Sequence, residues 1–488
     1  MRYVAPLLLS LSTFFAAPIF AQSNLQRAID QFVRAEAFEH ASIGIAVVDV
    51  ESGQLLASYD PQRSLIPAST LKVVTTATAL ALLTPEFQFK TKLEYDGEIS
   101  STGILNGHLY LTGQADPTLG SDQMEGTMPL QDLLERFRLI IQQQGIGQIN
   151  GHIVGDGTYL NSAATPPSWQ WADLGNYYAA GCWGLNLHEN YYYLRFQQTR
   201  KLGATPPISL VEPTVPNLVF INELTNARRG RGGDAYIYGS PYTYERYVRG
   251  TIGVGAGTIS IKGAIPDPPY FAAFQLEQSL ASIGINATNG SITELVRQRR
   301  GESTQKRTSI YTHNSPTLAR IVERTNTKSV NLYCESMVRT LGKEIAKSAA
   351  LEAGLQEIID YWRQQDVFIK GVNLFDGSGL SARNSVTAQF MTEVLRLTAK
   401  NPSVATAFET SLPLAGKSGI LKNKFKGTIA ENNLRAKSGT LERVRTYAGY
   451  TRNRKGQLLA FCILVNNYQG SGTVARKRME QLMLQFCE

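Results

Sequence analysis

After residue 42 the chain runs in short apolar stretches bounded by polar turns. Ile43-Gly44-Ile45-Ala46-Val47-Val48 is one stretch, Glu51-Ser52-Gly53-Gln54 the turn, and residues 55–59 the return, which predicts a β-hairpin. The pattern then changes to a helical one. Pro67-Ala68-Ser69 precedes an apolar run over 71–83, and a proline just before a hydrophobic run is a helix start. Ser69 is therefore expected at a helix N-terminus, with Lys72 one turn on and on the same face. From about 90 to 310, strand-like runs alternate with glycine-rich turns, as in Leu109-Tyr110-Leu111-Thr112 closed by Gly113. Leu133, Leu134, Phe137, Ile140 and Ile141 mark an amphipathic helix over 130–144, and 146–159 returns to strand character. Residues 190–265, rich in Tyr, Gly and Pro, read as β or loop.

Helical spacing resumes after about 312. Leu318-Ala319-Arg320-Ile321-Val322 leads toward Ser329, and Asn331 opens a second helix reaching about residue 341. Phe375-Asp376-Gly377-Ser378-Gly379-Leu380 reads as a glycine-rich loop. Two strands over 445–451 and 457–466 flank the turn Asn453-Arg454-Lys455-Gly456, and 475–486 reads as a closing helix. A hairpin and helix at one end, with strands and a helix at the other, predict one α/β domain split by a large β-rich insertion.

The chain has 488 residues, 43% hydrophobic and 18% charged, enough for more than one globular unit with a sizeable core. Arg2, the apolar run 4–20 and small Ala21 read as a secretory signal cleaved before Gln22; an uncleaved anchor is the alternative. No other stretch is long and apolar enough to span a bilayer, so a mature protein soluble outside the cytoplasm is expected. Cys182, Cys334, Cys462 and Cys487 lie far apart without CxxC spacing. Export permits disulfides without demanding them, and Cys334 and Cys462, set among apolar residues, read as buried thiols. His40, His108, His152, His188 and His313 are scattered, so no metal is expected, and nothing calls for a cofactor. The net charge of +8 suits an anionic partner such as cell wall, or solubility alone. The basic spots Arg228-Arg229-Gly230-Arg231 and Arg297-Gln298-Arg299-Arg300 lack interleaved aromatics, which argues against nucleic acid.

Three motifs stand in order: Ser69-Thr70-Leu71-Lys72, Ser329-Val330-Asn331 and Lys437-Ser438-Gly439-Thr440. A serine hydroxyl is a poor nucleophile until a base takes its proton. A lysine serves only if burial or a nearby cation brings its pKa toward neutrality. Lys72 stands one turn from Ser69 in an apolar helix, and Lys437 is a candidate for the neighbouring cation. Ser329 is placed to pass a proton to a leaving amine, Asn331 to hold a substrate amide, and Lys437, Ser438 and Thr440 to bind a substrate carboxylate. Backbone N–H groups of Ser69 and Thr440 are candidates for an oxyanion hole.

Each motif alone is weak: about two SxxK matches arise by chance in a chain this long. The second here, Ser303-Thr304-Gln305-Lys306, lies in a polar segment with no apolar helix after it. Lys417-Ser418-Gly419-Ile420 duplicates part of the third motif, but only Lys437-Ser438-Gly439-Thr440 carries the threonine and is followed by strands. No Gly-x-Ser-x-Gly elbow supports a histidine triad, and Gly253-Val254-Gly255-Ala256-Gly257 is not a dinucleotide fingerprint.

With these residues in view, the chain resembles the D-alanyl-D-alanine carboxypeptidase/endopeptidase family, the class C low-molecular-mass penicillin-binding proteins. The likeness rests on the motif trio and on Ser69 and Ser329 standing more than half the chain apart. It also rests on Gly113-Gln114-Ala115-Asp116-Pro117, Gly155-Asp156-Gly157, Asp376-Gly377-Ser378-Gly379-Leu380, Phe425-Lys426-Gly427-Thr428 and the stretch 171–178. The resemblance implies an α/β (α+β) penicillin-binding, β-lactamase-like transpeptidase domain split by one or two nested inserted domains. Its implied parts are a signal peptide at 1–21, a catalytic domain at 22–90 and 312–488, an inserted domain at 91–189 and 266–311, and a nested one at 190–265. It implies Ser69 as acyl-ester nucleophile, Lys72 as proton acceptor, and Ser329, Asn331 and Lys437 as the remaining motif residues. The implied partners are peptidoglycan stem peptides as substrates and β-lactam antibiotics as covalent inhibitors. A serine β-lactamase and a non-catalytic wall-binding protein are the competing readings. The first lacks an identifiable deacylating carboxylate, and the second would tolerate loss of Ser69 or Lys72.

Overall fold

A computed structural model describes residues 23–228, 234–303 and 305–488. The expected signal peptide, most of the basic spot at 228–231 and Thr304 of the second SxxK match lie outside them. A five-stranded antiparallel sheet joins the two ends of the chain, in the order Arg435–Leu441, Val444–Arg452, Leu458–Asn466, Ser42–Asp49, Leu55–Tyr59. Ser42–Asp49 is buried along almost its whole length, because helices cover both faces. Helices Asn24–Val33 and Gly472–Phe486 pack on one face through Ile29, Met479, Met483 and Phe486. On the other, Lys72–Leu83, Asn331–Glu344 and Ala388–Lys400 share a core with Val74, Leu80, Met337 and Val394. Lys72–Leu83 is apolar on all sides and runs through this core, as a helix without a polar face must.

The insertion has its own sheet, ordered Ser291–Thr293, Ile153–Asp156, Leu109–Gly113, Lys90–Tyr95, Thr308–Asn314. Its first and last chain segments, Lys90–Tyr95 and Thr308–Asn314, pair antiparallel, so the chain leaves and re-enters the core domain side by side. Between Tyr191 and Ala264 lie two smaller sheets, of three and four strands. The insertion has a separate apolar core that includes Leu111, Phe137, Ile153 and Phe271.

The strand character expected over 146–159 resolves into two short strands in different sheets, Gln148–Ile149 and Ile153–Asp156. The chain changes sheets at Asn150-Gly151, where a Cβ on Gly151 would lie 2.1 Å from the Gly107 carbonyl oxygen. Helices Pro268–Ala281, Leu351–Gln364 and Ala388–Lys400 add to the elements expected from the pattern.

Candidate active site

Pro67 leads into a 3-10 turn, Ala68–Leu71, that runs directly into helix Lys72–Leu83. Ala68, just before Ser69, has φ of 47°. That left-handed conformation costs a residue with a Cβ about 1–2 kcal/mol, so the surroundings must hold it. They do so from two sides. Thr70 and Thr446 hydroxyls both donate to the Pro67 carbonyl at 2.7 Å, tying the turn to the sheet. Behind it, a Cβ on Gly379 would lie 1.9 Å from the Ala68 carbonyl oxygen, so only glycine allows the loop after Asp376 to close on the turn.

The three motifs meet at Ser69. Lys72, fully buried, places Nζ 3.2 Å from Ser69 Oγ, 2.6 Å from Asn331 Oδ1 and 2.6 Å from the Ser378 carbonyl oxygen. Lys437 Nζ donates to Ser329 Oγ at 2.9 Å and to the Ser438 carbonyl at 2.7 Å. Ser329 ends helix Leu318–Lys328 in the left-handed region, with φ of 61°, which turns the chain so that Asn331 can start the next helix. Arg435–Leu441, which carries Lys437, Ser438 and Thr440, is an edge strand of the five-stranded sheet. Gly439 brings that edge against the nucleophile turn: a Cβ there would lie 2.9 Å from the Ser69 nitrogen.

Burial dominates the electrostatics. It lowers the pKa of Lys72, against the opposing pull of Cys334, Asp376 and Glu335. Burial, reinforced by the Lys72 cation, holds Lys437 well below the lysine range.

Two expected side chains are placed differently from the simplest reading. Asn331 has both ends of its amide engaged, since Nδ2 donates to the Tyr178 carbonyl at 2.8 Å while Oδ1 accepts from Lys72. Thr440 is exposed, and its hydroxyl accepts from Arg445 Nη1 at 2.6 Å. The duplicated Lys417-Ser418-Gly419 lies apart, in a loop where Ser418 Oγ accepts from the Leu414 N–H at 2.9 Å.

Sequence reasoning missed the acidic layer beneath Lys72. Glu335, fully buried, accepts from Ser378 N–H at 2.9 Å and Gly377 N–H at 3.1 Å. Asp376 accepts from Trp169 Nε1 at 2.8 Å, Gly379 N–H at 2.7 Å, Ser381 N–H at 2.6 Å and Asn384 Nδ2 at 2.7 Å. These carboxylates fix the loop that presents the Ser378 carbonyl to Lys72. The available signal was a glutamate inside a helix whose residues 332–342 are all buried. Among the described residues, no group of His, Cys, Asp and Glu side chains is arranged to hold a metal ion.

Comparison with known proteins gives a consistent result. The profile of the D-Ala-D-Ala carboxypeptidase 3 (S13) family matches residues 25–487. A D-alanyl-D-alanine carboxypeptidase of Actinomadura sp. (strain R39) is 28% identical, covering 96% of this chain and 87% of its own. The crystal structure of penicillin binding protein 4 (dacB) from Haemophilus influenzae, 23% identical, superposes with a TM-score of 0.80 over 95% of this chain and 98% of its own. The same Haemophilus protein complexed with a β-lactam, 21% identical, gives 0.75 over 94% and 98%. The two superpositions establish a shared fold.

Proposed function

The chain belongs to the D-Ala-D-Ala carboxypeptidase 3 (S13) family and is a penicillin-binding serine peptidase, and we propose that Ser69 is its nucleophile and neutral Lys72 the base. One observation carries this assignment: the set of partners around Lys72 Nζ. A neutral amine has two N–H donors and one lone pair. Asn331 Oδ1 and the Ser378 carbonyl, each 2.6 Å away, accept the two donors, which leaves the lone pair for the Ser69 hydroxyl at 3.2 Å. Burial favours that neutral form.

In the first step Ser69 Oγ attacks the carbonyl carbon of the penultimate D-alanine while its proton passes to Lys72 Nζ. The oxyanion forms beside the Ser69 N–H and the edge strand, where the Ser69 and Thr440 N–H groups are the candidate donors. Collapse breaks the C–N bond and expels the terminal amine, which takes the proton held on Lys72, relayed through Ser329, so that Lys72 is neutral again; Lys437 holds Ser329 at 2.9 Å. Water then attacks the ester, and Lys72 takes its proton and returns it to Ser69 Oγ as the ester C–O bond breaks, releasing the shortened stem peptide. A terminal D-alanine as leaving group makes the reaction carboxypeptidase; the amine of a cross-link makes it endopeptidase. The edge of Arg435–Leu441 beyond Ala436, whose N–H already donates to the Pro413 carbonyl, suits an extended peptide, whose backbone can pair with it as an added strand. Lys437 and Ser438 lie on that edge to meet the substrate carboxylate, and Asn331 positions Lys72 as well as substrate.

A β-lactam enters by the same attack on its ring amide, but its leaving nitrogen stays tethered in the cleft and hinders water. No carboxylate oxygen reaches Ser69 or Lys72 within hydrogen-bond distance among the described residues, which disfavours the efficient deacylation of a β-lactamase. A peptidoglycan substrate supports a location in the periplasm or cell-wall space; no described helix is long and apolar enough to cross a membrane. The paired strands Lys90–Tyr95 and Thr308–Asn314, both in the insertion's sheet, support an insertion that leaves and rejoins the catalytic domain (22–90 and 312–488) at one place, with the second junction a few residues later than 312; within it lie the inserted domains at 91–189 with 266–311, and at 190–265.

Intact-protein mass after brief exposure to penicillin tests the assignment. The expected result is an adduct of one penicillin on the wild type and none on Ser69→Ala. Rapid penicillin loss with no adduct would favour a β-lactamase; an adduct surviving in Ser69→Ala would remove Ser69 as nucleophile.

A further inference from the structure

Within the insertion, a cavity of about 200 Å³ lies where the strand Ile153–Asp156, the nested β-region and helix Pro268–Ala281 come together. Gly155, Gly157, Trp183, Tyr242, Asp267 and Gln298 are among its walls. Two of these leave hydrogen-bonding capacity unused. Trp183 is only 5% exposed, and its indole Nε1–H meets no acceptor among the described residues. Buried indole N–H groups normally find a partner. Asp267 caps helix Pro268–Ala281, one oxygen accepting the Tyr270 N–H at 3.1 Å. Burial pushes its carboxyl up to about 6, with the Tyr270 N–H pulling the other way, and no cation pairs with it among the described residues. The walls are held in place: Trp183 and Tyr242 pack edge to face at 4.9 Å, and Tyr242 donates to the Ser162 carbonyl at 3.3 Å.

We propose that this cavity is a second ligand site, taking a small zwitterion, a free amino acid or a dipeptide. Its ammonium group meets the Asp267 carboxylate, and its carboxylate accepts from Trp183 Nε1. An unpaired carboxylate oxygen and an unpaired indole N–H in one cavity suit a ligand with a donor cation at one end and an acceptor at the other, as a zwitterion has. The aromatic walls also favour an ammonium group. The volume is below the roughly 300–1,000 Å³ of pockets for drug-sized ligands, which limits the occupant to one or two residues. This is the chemical class of the amino acid that a D-Ala-D-Ala carboxypeptidase releases. The choice of D-alanine as first probe rests on that reading; the site does not.

Isothermal titration of the full chain with D-alanine, L-alanine and D-alanyl-D-alanine tests the proposal. Wild type is compared with Asp267→Asn, Trp183→Phe and Ser69→Ala. Asn keeps a capping oxygen, Phe keeps the apolar bulk, and thermal unfolding checks that each variant folds. The expected result is saturable binding of at least one probe, weakened about tenfold or more in both cavity variants and retained in Ser69→Ala. Absence of saturable binding for all three probes overturns the proposal. So does binding lost in Ser69→Ala but unchanged in the cavity variants, which would place it at the catalytic serine. Weakening in only one cavity variant overturns the two-ended pairing.

Discussion

In the insertion, Arg297 is buried and Arg307 partly buried against carboxylates; in the catalytic cleft, Lys72 and Lys437 are buried against neutral oxygens. Arg307 lies 2.6 Å from Asp156 and 3.4 Å from Glu294, and Arg297 lies 2.8 Å from Glu302 and 3.2 Å from Glu294. Burial alone would lower both arginines, yet hydrogen bonds to Asp156 and Glu302 help hold them above the usual arginine range. These ions stay ions and lock strands to helix Glu294–Arg299. The lysines differ because their hydrogen bonds go to an amide, hydroxyls and backbone carbonyls, while the nearest carboxylates stand behind a layer of backbone N–H groups. With desolvation only partly opposed, both lysines are driven toward the neutral form. The difference teaches that a buried cation paired with a carboxylate builds structure, whereas one solvated by neutral groups becomes a base.

The largest expected effect is on chemistry. Lys72→Met fills the same space without a base, and penicillin acylation measured by mass should slow by about 10³-fold or more. Its stability cost should be smaller than that of breaking an ion pair, being the loss of the donor to Asn331 Oδ1 and the Ser378 carbonyl set against relief of a desolvated amine. Acylation near the wild-type rate would end the role of Lys72 as base. Next in size is Arg307→Met, which leaves Asp156 and Glu294 without their shared cation. Removing one partner of a buried pair costs about 3–5 kcal/mol, read by denaturant unfolding. Acylation per folded molecule should hardly change, since Arg307 lies in the insertion. A stability loss at Lys72 equal to that at Arg307 would erase the contrast between the clusters.

Much of this arrangement was legible because local pattern carried it. Ser69 and Lys72 needed only helical spacing, and the hairpin after Arg445 needed only its turn. The junction of Ser329 with Lys437 was legible as motif order, but the contact depends on a left-handed residue ending one helix and on an edge strand far along the chain. The acidic layer was not legible, because Glu335 reads as an ordinary helical residue until the loop after Asp376 is folded onto it. Helix Leu351–Gln364 is a different miss: Leu351, Leu355, Ile358 and Trp362 were helically spaced and were overlooked. Asn331 shows the limit of motif reasoning, which assigned it to substrate when its amide oxygen also orients the base.

The smallest effect sharpens the comparison most, since it adjusts the charge behind Lys72 without touching Lys72 or Ser69. Burial and the neighbouring Asp376 charge push the Glu335 carboxyl up to about 7. Its anion opposes the lowering of Lys72. Glu335→Gln keeps an oxygen to accept from the Gly377 and Ser378 N–H groups and removes the charge. The Lys72 pKa should then fall further, moving the rising limb of the acylation pH profile to lower pH by about 1 unit or less. Stability gives an independent check. A carboxyl raised from 4.5 to about 7 binds more protons folded than unfolded between those values. Its contribution therefore declines as pH rises through that window, and Glu335→Gln should flatten the decline. A limb that moves upward instead would mean that Glu335 acts on Lys72 through the loop geometry rather than through its charge, and the cleft would then depend on positioned backbone more than on the balance of buried charges.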